Sequence, residues 1–377
     1  MTGDRADLSS FNASFDMTAT ADAARTRLVP CPSTEVVLLD DGRLLFVPVR
    51  GREQLQVDAP WGRAVHDVVV DGGPVPPSFS SHEREVLDAT IRSLAASGVL
   101  IPQSRVAAAD VARYDRQVRW FAQEGVDGPN AQRRLAASTV LMLGLGGFGA
   151  SMAEMLGRAG VGSLVLLDDD HVDEVNLPRQ MLYSHNDVGV RKSLAAAQHL
   201  EQLNPFSQFV PVHGTIGSGD DVARLVRRHR PDLVVCAADR PPIAIKGWID
   251  EGAFALGVPV LHGGSRPPYA YVGPLLVPGV TSCYSCFLAS RTQPGAEALE
   301  QEVNDVRNLR PPSLPAAGWC DITAASLATA QAVAVLTGVH EPAVLGRELE
   351  LDARTLTTEW MTPLQPQRDC SCPNCTH

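Results

Sequence analysis

The sequence contains very few lysines, few aromatic residues and no long hydrophobic segment. Only Lys192 and Lys246 among the 32 basic residues are lysines, and aromatic residues make up 5% of the chain. A genome that prefers arginine codons explains the imbalance in general, but it does not explain why position 192 keeps a lysine. The longest apolar stretch near a helix, residues 324–339, is rich in alanine and interrupted by polar side chains, so it is too weakly apolar to cross a bilayer.

Positive charge is also in the minority. The chain has 32 Lys and Arg against 43 Asp and Glu, which gives a net charge of −11. Nucleic acids and anionic membranes attract proteins with a positive surface, so neither is expected as the main partner. Residues 1–27 are polar and lack the basic start and apolar centre of a signal peptide. We therefore expect a cytoplasmic protein with a flexible N-terminal tail over residues 1–27.

The length of 377 residues is enough for two or three domains. Residues 28–105 form the first candidate. Two β-rich runs there are separated by an Asp-Gly step, which is typical of a hairpin, and Ser80 and Ser81 precede glutamates in a helix-start pattern. A hairpin, helices and a closing strand predict a small winged-helix domain. Residues 106–135, rich in Ala, Arg and Gln, are predicted to be a linker helix that ends at residues 125–130.

Residues 136–377 have a different pattern. Nearly continuous apolar runs at residues 139–143, 163–167, 233–237 and 258–261 alternate with helical segments. Strands that are apolar on both faces are typical of parallel sheets covered by helices. This region is therefore predicted to be an α/β domain with a Rossmann-like, mostly parallel sheet.

A glycine-rich loop follows the first of these strands and opens a helix. It contains Gly144, Gly146, Gly147 and Gly149. Glycines at such a place let the backbone approach a phosphate or a ribose at the positive end of a helix. Asp168 ends the next strand, near the spacing of about 20 residues at which a carboxylate accepts hydrogen bonds from ribose hydroxyls. Up to this point an NAD enzyme and an ATP enzyme fit equally well.

The residues that follow favour ATP. Asn176, Arg179, Gln180 and Lys192 supply positive charge and hydrogen-bond donors beyond the ribose position. Such groups suit a triphosphate, whose charge requires several donors and cations. Asp239 follows a later strand, at the edge where α/β folds bind ligands, and its carboxylate suits Mg²⁺.

The eight cysteines include two Cys-x-x-Cys pairs, Cys283 with Cys286 and Cys372 with Cys375. Structural disulfides are uncommon in the cytoplasm, whereas four sulfur ligands suit a structural zinc ion. Such an ion would tie the C-terminal segment to the domain core. Cys370 is close enough in sequence to replace Cys372, and only the spacing favours Cys372.

Together these motifs resemble the ThiF/MoeB family, the bacterial relatives of ubiquitin-activating enzymes, from about residue 113 onward. The matching pieces are Arg113-Tyr-x-Arg116-Gln117, the glycine loop, Leu-Leu-Asp168-x-Asp170, Asn176-Leu-x-Arg179-Gln180, Gly189-x-x-Lys192, Ala238-Asp239 and the two cysteine pairs. The resemblance implies adenylation of a carboxylate with ATP and Mg²⁺, releasing pyrophosphate. The implied ATP-binding residues are the loop glycines with Asp168, Asp170, Asn176 and Gln180. The implied catalytic residues are Arg179 and Lys192 on the phosphates, Asp239 on magnesium, and Arg116 reaching into the partner's site across a homodimer.

Residues 28–105 resemble, more loosely, the PqqD-like winged helix that binds leader peptides; a generic winged helix is the alternative. The segment carries net negative charge, which disfavours DNA, whereas a leader peptide can add a strand to the hairpin edge. The leading hypothesis is therefore adenylation of a carboxylate on a ribosomally made precursor peptide.

Two further hypotheses stay open. One is activation of the C-terminus of a ubiquitin-like sulfur carrier. The other is a non-catalytic leader-binding partner of a YcaO-type cyclodehydratase, in which the ATP residues tend to decay. Family members that form thioesters carry a cysteine after the first zinc pair, and residues 288–315 have none. Cys320 is expected to be buried in a helix, His262 lies near a possible substrate channel, and Lys246 has no assigned role.

Overall fold

The structure is a computed structural model that describes most of the chain. The described parts are residues 27–48, 54–106, 108–241, 244–291 and 315–361, together with Cys370, Cys372, Asn374 and Cys375. The flexible tail predicted for residues 1–27 lies outside them except at its last position. The chain divides into two compact units, one ending at Arg133 and the other beginning at Arg134. This division falls inside the segment predicted as a linker.

The N-terminal unit contains two small antiparallel sheets and four helices. Its elements are β1 (Leu28–Pro30), β2 (Thr34–Leu38), β3 (Leu44–Pro48), β4 (Leu55–Val57), α1 (Trp61–Val69), α2 (Ser81–Ala96), β5 (Leu100–Pro102), α3 (Asp115–Gln123) and α4 (Gly128–Ala137), the last of which crosses into the second unit. The first sheet has the order β2-β3-β4, and β1 pairs with β5. The hairpin, the helices and the closing strand are thus present, and the winged-helix assignment stays a prediction.

Local sequence explains two of these elements. In the turn between β2 and β3, Gly42 has a φ of +87°, which glycine adopts without strain. At the start of α2 the Ser80 side chain accepts a hydrogen bond from the Glu83 N–H, while the Glu83 carboxylate accepts one from the Ser80 N–H. This reciprocal capping satisfies two donors at the helix end.

The linker helix predicted over residues 106–135 is not continuous, and its break lies at the end that the sequence predicted for it, residues 125–130. The structure has two helices there, α3 and α4, preceded by short 3-10 turns. Gly125 has a φ of +95°, which breaks the helical path after α3. The Asp127 carboxylate then accepts a hydrogen bond from the Asn130 N–H and starts α4 anew.

The C-terminal unit contains one large sheet with helices on both faces. Its strands are β6 (Thr139–Leu143), β7 (Ser163–Asp168), β8 (Gln208–His213), β9 (Leu233–Cys236), β10 (Val260–Arg266), β11 (Tyr269–Leu276), β12 (Leu349–Asp352) and β13 (Thr357–Trp360). Its helices are α5 (Gly147–Ala159), α6 (Lys192–Leu203), α7 (Gly219–His229), α8 (Ala244–Gly252), α9 (Tyr284–Arg291) and α10 (Gly318–Thr337).

The sheet has the strand order β13-β12-β11-β10-β9-β6-β7-β8. Strands β6 to β10 run parallel to one another, and β11 to β13 add an antiparallel edge. The predicted α/β fold with a mostly parallel sheet is confirmed. From β6 the chain continues to β7 and β8 on one side of the sheet, whereas β9 and β10 lie on the other side of β6. The connections therefore diverge between β6 and β9. Ligands of open α/β sheets bind at the carboxyl ends of the strands at such a point.

Contrary to the sequence-based expectation for residues 324–339, helix α10 is long and apolar enough to cross a membrane by length and composition alone, and it is the one such helix among the described residues. It packs against β10, β11 and α5, and 61% of its most apolar window is buried inside the protein. Burial of this kind is also typical of a core helix, so its composition is accounted for by packing.

Candidate active site

The glycine loop lies between the end of β6 and the start of α5, and its four glycines have different surroundings. Gly144 has a φ of +99°, and a Cβ atom there would come within 2.8 Å of the backbone that follows β9. A Cβ on Gly149 would collide with the carbonyl oxygen of Gly144, and one on Gly147 would collide with the Asp321 carboxylate. A Cβ on Gly146 would meet no atom within 4 Å. A ligand therefore has room to approach the loop at Gly146, at the positive end of α5.

This difference predicts opposite results for two alanine substitutions. Gly149→Ala is expected to lower the free energy of unfolding by about 1–3 kcal/mol, because the methyl group overpacks the loop. Gly146→Ala is expected to leave stability within about 0.5 kcal/mol but to weaken ATP binding at least about tenfold, because its methyl group occupies the ligand's space. Thermal unfolding and calorimetric titration with ATP measure the two effects. An equal loss of stability in both variants would contradict the assignment of Gly146.

Asp168 holds the loop from the neighbouring strand. It ends β7, and its Oδ2 accepts a hydrogen bond of 2.6 Å from the Leu145 N–H inside the loop. Its Oδ1 accepts one of 2.9 Å from the Asp170 N–H. Burial raises the pKa of Asp168, and the nearby Lys192 ammonium counteracts part of that shift. Each carboxylate oxygen still has a second lone pair, which ribose hydroxyls can use.

Lys192 is a buried cation at the start of α6. Its Nζ lies 2.8 Å from Asp170 Oδ2, and its side chain is only 6% exposed while that of Asp170 is 69% exposed. The ammonium therefore has an exposed carboxylate as its partner. A bound polyphosphate could replace that partner, because its charge density is higher and it would be equally accessible from solvent. Asp170, predicted to bind the nucleotide, contacts Lys192, and its nucleotide role stays a prediction.

Residues 173–180 form a compact turn that presents the next predicted residues. The Asn176 side-chain oxygen accepts a hydrogen bond from the Asp173 N–H, so this side chain caps a short 3-10 helix. The Arg179 and Gln180 N–H groups both donate to the Asn176 carbonyl. Gln180 is 1% exposed, and its Oε1 has no hydrogen-bond partner. The turn fixes the backbone from which Arg179 projects.

Sequence reasoning missed Asp321, which links Arg179 to the glycine loop. It lies in the first turn of α10, is almost fully buried and accepts a hydrogen bond of 2.5 Å from the Ser265 hydroxyl at Oδ1. Its Oδ2 lies 3.8 Å from Arg179 Nη1 and beside Gly147. Burial raises the pKa of Asp321. An acid in the first turn of an otherwise apolar helix was the signal available in the sequence.

Two predicted residues lie on exposed positions. Asp239 is exposed and follows the backbone at Ala237 and Ala238, which packs against Gly144. Arg116 is exposed on α3 in the N-terminal unit. The C-terminal unit thus joins the glycine loop, Asp168, Asp170, Lys192 and Arg179 through direct contacts, with Asp239 on the adjoining segment. Their roles in binding ATP, and that of Arg116 across a dimer, stay predictions.

Four cysteine sulfurs form a cluster. Cys283, Cys286, Cys370 and Cys375 have all their Sγ atoms within 4.8 Å of one another. The Cys283–Cys370 and Cys286–Cys375 sulfur distances are 3.5 and 3.7 Å. A tetrahedron with zinc–sulfur bonds of about 2.3 Å has edges of about 3.8 Å, so the cluster fits a structural zinc ion.

The cluster corrects the predicted ligand set at one position. The sequence spacing favoured Cys372, whereas the structure brings Cys370 into the cluster. The Cys372 carbonyl accepts a hydrogen bond from the Cys375 N–H, which closes the turn between them. The zinc staple itself stays a proposal.

Comparison with known proteins decides the family. A family model described as the ThiF family matches residues 114–374. This chain belongs to the ThiF family. A sulfur carrier protein ThiS adenylyltransferase of Escherichia coli is 31% identical to the ThiF-family chain over 272 residues, which cover 71% of the chain and 95% of the relative. A sulfur carrier protein adenylyltransferase of Thermus thermophilus is 31% identical over 258 residues, covering 66% and 86% respectively.

Solved structures extend the likeness of this ThiF-family chain toward the N-terminus. Escherichia coli MccB superposes on this chain with a TM-score of 0.69. One MccB structure contains ATP, and another, described as that of a microcin C7 biosynthetic enzyme, contains N-formylated MccA. The match covers 92% of this chain and 99% of MccB at 20% sequence identity. At that identity the match establishes a shared fold.

These comparisons confirm the enzyme class predicted from the motifs. The chain is an ATP-dependent adenylyltransferase of the ThiF family, as its relatives are named. The MoeB/ThiF resemblance from about residue 113 is thereby confirmed. The PqqD-like resemblance of the N-terminal unit stays a prediction.

Proposed function

We propose that this chain adenylates a carboxylate on a ribosomally made precursor peptide, as a step in peptide maturation. The observation that carries the proposal is the N-terminal unit. The sulfur-carrier relatives match only 66–71% of the chain, whereas MccB, a microcin biosynthetic enzyme, matches 92%. An additional unit in front of the adenylating domain suits a substrate that must be held at a second place.

The proposed reaction uses the described residues as follows. Asp168 and the glycine loop hold the nucleoside, with Asn176 and Gln180 on the neighbouring turn, while Lys192 and Arg179 neutralise the phosphates. A carboxylate oxygen of the peptide attacks the α-phosphorus, the bond to the bridging oxygen breaks, and pyrophosphate leaves. Mg²⁺ held by Asp239 would offset the charge on the phosphate oxygens. The product is an acyl adenylate.

In the proposed complex the leader binds the N-terminal unit. Strand β2 is an edge of the β2-β3-β4 sheet, and an extended peptide can add a strand to such an edge through backbone hydrogen bonds. The enzyme would act in the cytoplasm, with the cysteine cluster holding zinc. A YcaO-type partner is compatible with this scheme, but a purely non-catalytic role is disfavoured because every predicted ATP residue is present.

The second candidate substrate is a small sulfur-carrier protein. The 31% identity to the ThiS adenylyltransferase over 95% of that relative supports it. A sulfur-carrier substrate would give the N-terminal unit no role in the reaction.

Exchange of labelled pyrophosphate into ATP separates the candidates. We expect exchange at least about tenfold faster with a full precursor peptide than with the same peptide lacking its leader, because the leader raises the effective concentration of the carboxylate. A carrier ending in Gly-Gly is expected to support no exchange above background. Exchange with the carrier alone would overturn the proposal in favour of sulfur activation.

Mixing two inactive variants tests the proposed cross-subunit role of Arg116. Arg116→Ala and Lys192→Ala are each expected to lose activity. Random mixing should restore about a quarter of the wild-type rate, because half the dimers contain one site with both residues intact. Full activity of Arg116→Ala alone, or no recovery on mixing, would contradict an exchange of Arg116 between subunits.

A further inference from the structure

The strand order assigns two sides to the ligand edge of the large sheet. From one side to the other, this edge carries Asp168 at the end of β7, the glycine loop after β6, Asp239 after β9, and His262, which lies on β10 level with the last residue of β9. The ribose side is therefore at β7. This part of β10 lies beyond Asp239, on the side left for the group that attacks the nucleotide.

His262 is buried there without hydrogen-bond partners. It is 1% exposed, and neither ring nitrogen has a partner. It pairs in register with Cys236 of β9, and the register of β10 against β11 shifts between Leu261 and Gly263. Such irregularities redirect side chains next to functional sites. A buried imidazole with two unpaired nitrogens is costly to maintain, so a ligand that pairs with it is the natural explanation.

Lys246 lies near the Tyr284 ring, which stacks on His262. Tyr284 stacks on His262 with ring centroids 5.0 Å apart, and Lys246 Nζ lies 5.7 Å from the centroid of Tyr284. Burial, and then the Lys246 charge, holds the pKa of His262 well below its usual range, so the ring is neutral. The two lysines of the chain differ sharply. Lys192 is paired with Asp170, whereas no ion pair involves Lys246 in the part of the chain that the structure describes.

These groups define a ligand chemistry. A half-buried ammonium supplies positive charge, and a neutral imidazole supplies one N–H donor in either tautomer. Cys236 adds no competing anion, because burial raises the pKa of its thiol to about 11. The complementary group is a carboxylate, and the second ring nitrogen can accept a hydrogen bond from a peptide N–H. A peptide C-terminus carries both groups.

We propose that Lys246 and His262 form a subsite for the carboxylate terminus of a peptide, beneath Tyr284 and beyond Asp239 from the ribose. The subsite would hold the carboxylate that becomes adenylated, so this inference rests on the proposed function. The subsite lies next to the cysteine cluster, because Tyr284 belongs to the Cys283–Cys286 segment. Both recognition groups contact the Tyr284 ring, which this segment positions.

Because the chain has only two lysines, an NMR experiment can observe each of them separately. The full chain labelled with carbon-13 at the lysine ε-carbon gives two NMR signals, assigned with Lys192→Arg and Lys246→Arg. The probes are N-acetylglycylglycine and its C-terminal amide, added without ATP. We expect the acid to shift the Lys246 signal in a saturable manner, the amide to shift neither signal, and a non-hydrolysable ATP analogue to shift only Lys192.

Variants of His262 check that the ring takes part. His262→Leu is expected to weaken binding of the acid probe at least about tenfold without lowering the thermal midpoint, because it replaces an unpaired buried polar group with an apolar one. His262→Gln keeps a donor and is expected to bind within about threefold of wild type. Undiminished binding by His262→Leu would overturn the role of the ring.

The remaining outcomes separate this subsite from the proposed function. An unmoved Lys246 signal, or equal shifts with the acid and the amide, would overturn the carboxylate subsite. If no precursor peptide supports pyrophosphate exchange while the acid still shifts Lys246, the peptide function fails and the subsite stands. If exchange proceeds without any shift of Lys246, the function stands and the subsite fails.

Discussion

Lys192→Met is expected to reduce the rate of pyrophosphate exchange by at least about 10²-fold while leaving the fold intact. The ammonium is buried next to Asp170 and Asp168, where a positive charge stabilises phosphate oxygens far better than it would in water. Methionine fills the space of the lysine stem without that charge. Its thermal midpoint is expected to fall, because the buried Asp168 carboxylate loses the charge that counteracts its burial. Steady-state exchange kinetics and thermal unfolding measure the two effects.

Two further variants define the requirement at this position. Lys192→Arg keeps the charge but brings a planar, bulkier head into a site with 6% exposure, so only partial activity is expected. Arg158→Met removes a cation from the same unit, where Arg158 is exposed and pairs with Glu154. It is expected to change the exchange rate less than about twofold, in keeping with the small effect of surface ion pairs. Wild-type exchange by Lys192→Met would remove Lys192 from the phosphate site.

Cys370→Ser and Cys372→Ser are expected to differ in zinc content and stability. Cys370→Ser should lose the bound zinc and at least about 3 kcal/mol of unfolding free energy, which lowers the thermal midpoint by about 6–12 °C in a unit of this size. The physical reason is that structural zinc binding contributes directly to folding. Metal analysis and calorimetry on the purified full chain provide the measurements.

Cys372→Ser is the matched control, since both side chains are partly buried and two residues apart. It should retain one zinc per chain and a midpoint within about 2 °C of wild type. The reverse result, with zinc lost only from Cys372→Ser, would restore the ligand set that the spacing favoured. A chain that binds no zinc in either form would refute the structural metal site.

The parts of the site that the sequence predicted are local in origin. The glycine loop, Asp168 and Asp239 each come at the end of an apolar run, and parallel strands align their carboxyl ends by geometry alone. Lys192 was singled out because nearly all the other basic residues of the chain are arginines. Such features depend on a residue and its near neighbours, so periodicity and spacing are sufficient to find them.

The parts that were missed depend on contacts between distant segments. Asp321 reaches the glycine loop from the start of a helix that is far away in sequence, and only the packing of α10 against α5 brings the two together. Cys370 contacts Cys283 across a large separation in sequence, which the spacing within each Cys-x-x-Cys pair does not encode.

The pairing of β6 with β9 has a consequence for folding kinetics. It joins segments far apart in the chain, since the Thr139 N–H donates to an Asp232 carboxylate 93 residues away. The β10–β11 and β12–β13 hairpins are local and can form early, whereas contacts of high sequence separation form slowly. Until β9 arrives, β6 presents an unpaired, apolar edge beside the glycine loop. The nucleotide edge is therefore completed late in folding, and destabilised variants are expected to aggregate through β6.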